Sequence, residues 1–239
     1  MLPYILKIND RQNVSNEPIA YLLVDRNEKY EHLKNAVSDA SITIRYEWVN
    51  PKIRDKVYKG WFSGCYNRYF NMVSLLSSSL SSEGAVCLNL DGLEGNRIGT
   101  YFFNCIVDWA LQWPGASVSN ISLLADQAKL ENNKLRRNCL YEQFGIKFDY
   151  TTEEKLSGCS LPTTMDQLNT VDTWKLNISE MELSEFCRLI LKENKNLSQD
   201  LNFCKKSNVE LVAENIEARK RPHSHALKAL YSSFTGKYF

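Results

Sequence analysis

Between residues 85 and 150 the hydrophobic pattern switches repeatedly between the period of a strand and that of a helix, which limits the fold more than any other feature. The predicted elements are a strand at 85–90, a helix over 102–110, a strand at 118–124, a helix over 127–144 and a strand at 146–150. Gly145 stands where the second helix would end in a left-handed turn. Strands and helices that alternate at this length predict an α/β domain with at least local parallel pairing.

Before residue 85 the pattern predicts two strands and two helices. Residues 19–24 read as a short strand, and 42–48 read as a half-buried strand because every second residue is apolar. Pro51 would end that strand. Apolar residues at helical spacing predict helices over 27–37 and from residue 55 to 76.

The chain changes character near residue 156. The tetrapeptides at 179–182 and 207–210 have the capping-box pattern, and each predicts the start of a helix. Pro222 would end the second of these helices. We therefore expect two parts, an α/β domain at 1–155 and a mainly helical extension at 156–239.

Charge and cysteine content exclude several classes of function. The formal net charge of +1 gives no overall field that would recruit nucleic acid or an anionic membrane. The seven cysteines are widely spaced without a C-x-x-C pair, so neither a disulfide framework nor a zinc site is expected. No apolar run reaches the length that spans a bilayer, and no signal peptide is evident. These observations predict a cytoplasmic protein with reduced thiols, no metal and no membrane partner.

A glycine-rich turn between the strand at 85–90 and the following helix predicts a site for an anion. Gly92, Gly95 and Gly99 fall within eight residues. Glycine lets the backbone turn sharply and approach a ligand closely. Unpaired N–H groups and the dipole at a helix start attract a phosphate.

Two segments resemble the signatures of the GNAT family of N-acetyltransferases. Residues 94–100, EGNRIGT, are similar to that family's pyrophosphate loop, written Q/R-x-x-G-x-G/A before a long helix. Residues 136–146, RRNCLYEQFGI, are similar to its L/F-Y-E-x-x-G-F motif. In the loop, Glu94 stands at the Q/R position and Arg97 at the first glycine position, so Gly99 alone matches the core. The resemblance, over about 85–150, implies a mixed central sheet flanked by helices.

The resemblance implies an acyl-CoA-dependent N-acyltransferase that uses acetyl-CoA or another acyl-CoA. Its acceptor would be an amine on a small molecule, a protein or an aminoacyl-tRNA, and a homodimer is left open. Tyr141 matches the tyrosine that protonates the departing thiolate, although it could equally be a packing residue. The expected cofactor contacts are Leu88 and Leu90 toward the pantetheine, Gly95, Asn96, Arg97, Ile98, Gly99 and Thr100 around the pyrophosphate, and Asn133 and Asn138 as further polar groups.

The departures at Glu94 and Arg97 support an alternative. The chain would then keep the GNAT fold without catalysis and act as an interaction or adaptor protein through its helical C-terminal region.

Overall fold

The computed structural model of the chain describes residues 2–12, 17–49, 59–75, 92–128 and 131–235. They form two compact units, the first ending at Leu183 and the second beginning at Ser184. In chain order the strands and α-helices are β1 Tyr4–Ile8, β2 Ala20–Leu33, β3 Ala36–Trp48, β4 Lys59–Asn67, β5 Met72–Ser74, α1 Ile98–Ala110, β6 Ser117–Val118, β7 Ser122–Leu123, α2 Glu131–Glu142, β8 Phe148–Tyr150, β9 Gly158–Ser160, β10 Ile178–Glu182, α3 Leu183–Lys220 and α4 Pro222–Thr235.

A seven-stranded mixed sheet organises the first unit, in the order β10-β1-β2-β3-β4-β5-β6. All of its neighbouring strands run antiparallel except β5 and β6, which pair in parallel at one edge. Helix α1 lies between these two strands in sequence, as parallel strands require a crossover. The expectation of a mixed α/β fold with at least local parallel pairing is confirmed.

Helix α1 packs tightly on the central strands and supplies much of the core. Its Phe102 ring stacks on Tyr46 of β3 and on Phe62 of β4, with ring centroids 5.0 Å apart in both pairs. Gly64 in β4 permits the close approach, because a Cβ there would lie 2.9 Å from Ile106 Cγ2. The helix predicted from the apolar pattern at 102–110 is confirmed, with its start at Ile98.

A smaller antiparallel sheet, β7-β9-β8, accompanies helix α2 in the same unit. Helix α2 is followed by Gly145, whose φ of 89° is the left-handed turn expected there. The strand predicted at 118–124 is divided in two. Ser117–Val118 joins the large sheet and Ser122–Leu123 the small one.

The helices predicted at 27–37 and 55–76 are wrong within the described residues, which form strands. Lys34 and Asn35 both have positive φ, 48° and 63°, and make a two-residue turn between β2 and β3. Cross-strand pairing from Leu22 to Leu33 overrides the local helical spacing. Residues 59–67 alternate between buried and more exposed sides, but Gly64 on the buried side and Trp61 and Cys65 on the more exposed side hide that alternation from a hydrophobicity pattern.

Neither tetrapeptide forms the predicted capping box, although the apolar residues that follow each of them are helical, as expected. Residues 179–182 belong to β10, which pairs with β1 as an edge strand of the large sheet. Residues 207–210 lie inside α3, which runs without a break from Leu183 to Lys220. Pro222 follows the end of α3, as expected, and also opens α4.

The compact first unit extends beyond the predicted domain boundary at 155/156. Strands β9 and β10 come from the segment assigned to the extension, and they complete the two sheets of the first unit. The predicted strand at 85–90 lies outside the described residues. In the described part of the chain, none of the helices combines the length and the apolar character that crossing a bilayer demands.

Candidate anion site at the start of helix α1

The turn before α1 has the backbone shape that its glycines predict. Gly92 and Gly95 have φ values of 89° and 83°, in the left-handed region that favours glycine. A Cβ at either position would meet nothing within 4 Å, so the conformation rather than space selects glycine. Gly99, by contrast, is the second residue of α1 and has no positive φ.

Helix α1 begins with N–H groups that none of the described residues engages as an acceptor. Its N-cap is Arg97, whose φ of 61° is unusual for a residue with a side chain. No side chain of the described residues caps the helix, and its first turn contains no acidic residue. The first intrahelical bond runs from the Tyr101 N–H to the Arg97 carbonyl at 2.9 Å. The N–H groups of Ile98, Gly99 and Thr100 precede it and carry the positive end of the helix dipole.

Two guanidinium groups add positive charge at this helix start. Arg97 Nη1 donates to Asn177 Oδ1 at 2.9 Å, which fixes the side chain beside the turn. Burial and then the charge of Arg11 lower the pKa of Arg97, which indicates that the two cations are close enough to repel. Within the described residues no carboxylate forms an ion pair with either group. An anion placed here would relieve the repulsion.

Asn96 holds the turn in place. Its Oδ1 accepts a hydrogen bond from the Arg11 backbone N–H at 3.0 Å, and its Nδ2 donates to the Leu93 carbonyl at 3.3 Å. Asn177 Nδ2 donates to the Asn96 carbonyl at 3.0 Å. The Asn96 side chain is 8% exposed, so these internal bonds, rather than a ligand, use its polar atoms. Glu94 folds back on the turn, where its Oε2 accepts from the Gly92 N–H at 2.8 Å.

The two segments that resemble GNAT signatures pack against each other. Gln143 Nε2 donates to Thr100 Oγ1 at 3.1 Å, which ties the end of α2 to the first turn of α1. One turn further along α1, the Phe103 ring makes edge-on contacts with Tyr141 and Phe144, with centroids 5.6 and 4.8 Å apart. The end of α2 therefore lies beside the candidate anion site.

Tyr141 is a buried phenol in an aromatic cluster. Its side chain is 5% exposed and also contacts Phe148, with ring centroids 5.5 Å apart. Burial raises the pKa of Tyr141 to about 12, against a smaller lowering by Arg137. The phenol is therefore protonated at neutral pH, as a proton donor must be. The same contacts also suit a residue whose role is packing.

The predicted cofactor contacts on α2, Asn133 and Asn138, both make hydrogen bonds within the protein. Asn138 is 7% exposed, accepts from Arg137 Nε at 3.0 Å and donates to the Lys155 carbonyl at 3.3 Å. Asn133 Oδ1 accepts from the Arg136 guanidinium. Both asparagines therefore support α2 and its surroundings. Leu88 and Leu90 lie outside the described residues.

Sequence reasoning missed Arg11 and Asn177, which complete the candidate site. Arg11 is 85 residues from Asn96, and Asn177 is 80 residues from Arg97. Neither lies in a motif, so no local signal identifies them. The sheet brings them together, because β1 ends where its antiparallel neighbour β10 begins, with Ile8 paired to Ile178.

No family model, curated protein or solved structure matches this chain. Within the described residues, no three histidine, cysteine, aspartate or glutamate side chains are placed to hold a metal ion.

Proposed function

We propose that the chain is an acyl-CoA-dependent N-acyltransferase of the GNAT type, with acetyl-CoA as the simplest donor. The observation that carries the proposal is the start of α1, which no side chain of the described residues caps, with the guanidinium of Arg97 fixed beside it and Arg11 close by. A pyrophosphate carries negative charge and several acceptor oxygens. Backbone N–H groups together with paired guanidiniums provide matching donors and charge.

The conformation of Arg97 explains how an arginine can stand where the family's loop usually has a glycine. A glycine is usual there because the backbone must turn, and Arg97 adopts a left-handed φ of 61° instead. Asn177 holds the arginine in that conformation. The substitution then replaces a purely conformational residue with a phosphate ligand, which is a gain in charge at the same position.

The proposed reaction transfers the acyl group directly to an amine. The neutral nitrogen of the acceptor attacks the thioester carbonyl, a C–N bond forms and the C–S bond breaks. The ammonium proton leaves to solvent, and the departing thiolate takes a proton. Tyr141 is proposed as the donor of that proton, because its phenol is protonated at neutral pH and its ring contacts Phe103, which lies one turn along α1 from Thr100. The acceptor is an amine of a small molecule, a protein or an aminoacyl-tRNA.

Isothermal titration of the full chain with acetyl-CoA tests the proposal. We expect saturable binding of acetyl-CoA and at least tenfold weaker binding of S-acetyl-pantetheine, which lacks the pyrophosphate and the nucleotide. Equal affinity for the two ligands would remove the anion site from the proposal. Thiol release from acetyl-CoA, screened over small amines, peptides and charged tRNAs, then tests turnover and identifies the acceptor class.

A non-catalytic interaction protein is the second candidate. The observation in its favour is that Tyr141, Asn96 and Asn138 are all at least nine-tenths buried and their contacts are internal. For such a protein, acetyl-CoA would produce no heat of binding and no protection against thermal unfolding. The same titration therefore separates the two candidates.

A further inference from the structure

Helix α3 is long and exposes apolar side chains along its whole length. It is a single helix of 38 residues with no buried residue. Exposed fractions of Leu197, Leu201 and Leu211 are 58%, 54% and 56%. A helix of this length gains most of its stability in water by packing an apolar face against another element. We therefore expect the apolar face of α3 to pack against a partner.

Because α3 is one unbroken helix, a seven-residue repeat can be followed along it. With Cys187 at position a of a heptad, every d position is apolar or cysteine, and three of the five a positions are asparagine. The d positions are Leu183, Ile190, Leu197, Cys204, Leu211 and Ala218, and the a positions are Cys187, Asn194, Leu201, Asn208 and Asn215. A repeat of seven makes a seam for a left-handed coiled coil.

We propose that α3 forms a parallel, in-register, two-stranded coiled coil with α3 of a second copy of this chain. Asparagine at a positions supports this arrangement, because each Asn208 amide would meet the same amide of the second copy and form a hydrogen bond. In a register shifted by one heptad, Asn194 and Asn208 would each face Leu201 and lose that bond. Leucine at d, as at Leu183, Leu197 and Leu211, favours two strands when the helices are parallel.

Charges beside the seam favour the same orientation. In a parallel pair, position g of one helix faces position e of the next heptad on its partner. Asp200 at g would face Lys205 at e, and Glu214 at g would face Arg219 at e. In an antiparallel pair g faces g and e faces e, which would set the acidic residues against each other and the basic residues against each other. Charge complementarity therefore selects a parallel second copy.

The asparagines also predict how tightly the two copies associate. Buried polar residues at a specify register at a cost in stability. A dimer with three of them per helix is expected to dissociate on dilution. This association is independent of the proposed acyl transfer.

Charge variants of the full chain, measured by sedimentation velocity over a range of concentrations, test the proposal. We expect a monomer–dimer equilibrium for the native chain. Lys205→Glu would place a glutamate opposite Asp200 in each of the two symmetric pairs, and the repulsion should raise the dissociation constant on the order of tenfold. Adding Asp200→Lys to that variant restores attraction and should restore the dimer.

Lys206→Glu is the matched control, since Lys206 is the next residue and lies at position f, away from the seam. It should leave the dissociation constant unchanged. A chain that is monomeric at its highest soluble concentration, or a trimer, would overturn the proposal. Equal effects of the two lysine variants would also overturn it.

The two cysteines of α3 test the orientation separately. In a parallel pair Cys187 meets Cys187 and Cys204 meets Cys204 of the second copy, so mild oxidation should cross-link like with like, as mass spectrometry of the joined peptides can show. Cys187→Ser and Cys204→Ser should each keep one cross-link. In an antiparallel pair Cys187 would instead join Cys204, and either variant would lose all cross-linking through α3, which would refute the parallel arrangement.

Discussion

At the scale of single residues, Arg97 has both an unfavourable positive φ and a positive charge. Two substitutions test these properties separately. Arg97→Gly removes the guanidinium and relieves a positive φ, whereas Arg97→Ala removes the guanidinium and keeps the unfavourable φ. The glycine variant should therefore be more stable than the alanine variant by about 1 kcal/mol. Both should lose roughly 1.5–3 kcal/mol of acetyl-CoA binding energy, the range for a charged hydrogen bond.

Thermal unfolding and titration calorimetry measure these two effects. If Arg97→Gly binds acetyl-CoA as tightly as the native chain does, Arg97 is not a phosphate ligand. S-Acetyl-pantetheine is the control ligand, because its affinity should be the same for all three proteins.

Tyr141 is the residue at which the packing role and the catalytic role are both testable. Tyr141→Phe keeps the ring between Phe103 and Phe148 and removes the hydroxyl alone. Turnover should fall by about 10²–10⁴, with acyl-CoA affinity unchanged, if the phenol protonates the leaving thiolate. Tyr141→Ala should instead destabilise the fold by about 3–5 kcal/mol because it empties a buried aromatic site. Full turnover of Tyr141→Phe with any acceptor would assign Tyr141 to packing.

Burial of Tyr141 also predicts a dependence of stability on alkaline pH. Its pKa is raised from 10.0 to about 12, so below pH 10 the phenol is protonated in both the folded and the unfolded chain. Between pH 10 and 12 the unfolded chain loses this proton first, and the free energy of unfolding falls by about 1.4 kcal/mol per pH unit. Denaturant unfolding of Tyr141→Phe should show a smaller fall over that interval. An identical pH profile for both proteins would contradict the burial of the phenol.

At the scale of elements, the contact between α1 and β4 depends on Gly64. An alanine Cβ at this position would lie 2.9 Å from Ile106 Cγ2 and 3.0 Å from the Ser74 carbonyl oxygen. Because one of these neighbours is backbone, the strand or the helix must move, and Gly64→Ala should destabilise the chain by about 1–3 kcal/mol. Chemical denaturation measures the change. Ser63→Ala, at the adjacent and more exposed position, is the control and should cost less.

At the scale of the whole molecule, the two units carry different candidate binding sites. The first unit carries a mixed sheet with the candidate anion site at one helix start, and the second carries a heptad seam. If the seam joins two copies and the first unit binds acyl-CoA, disruption of the dimer by Lys205→Glu should leave the binding of acetyl-CoA intact. Titration of that variant with acetyl-CoA, beside native protein, measures whether the two properties are independent. If this variant also binds acetyl-CoA more weakly than the native protein does, dimerisation supports the site.

The sequence by itself determined the elements whose pattern is local. The strand at 42–48, helix α1 and the left-handed Gly145 all follow from alternation, helical spacing or a glycine at a helix end, which neighbours in sequence decide. The glycine-rich turn was predicted for the same reason.

Only the tertiary structure decided the conformation of segments that pair with strands distant in sequence. Residues 27–33 pair with β3 although their spacing is helical, and 179–182 pair with β1 although they resemble a cap, since a sheet satisfies backbone groups that the local pattern ignores. Long-range contacts also placed Arg11 and Asn177 at the start of α1. The heptads of α3 became recognisable only when 183–220 proved to be one helix, because a seven-residue repeat has meaning only along an unbroken axis.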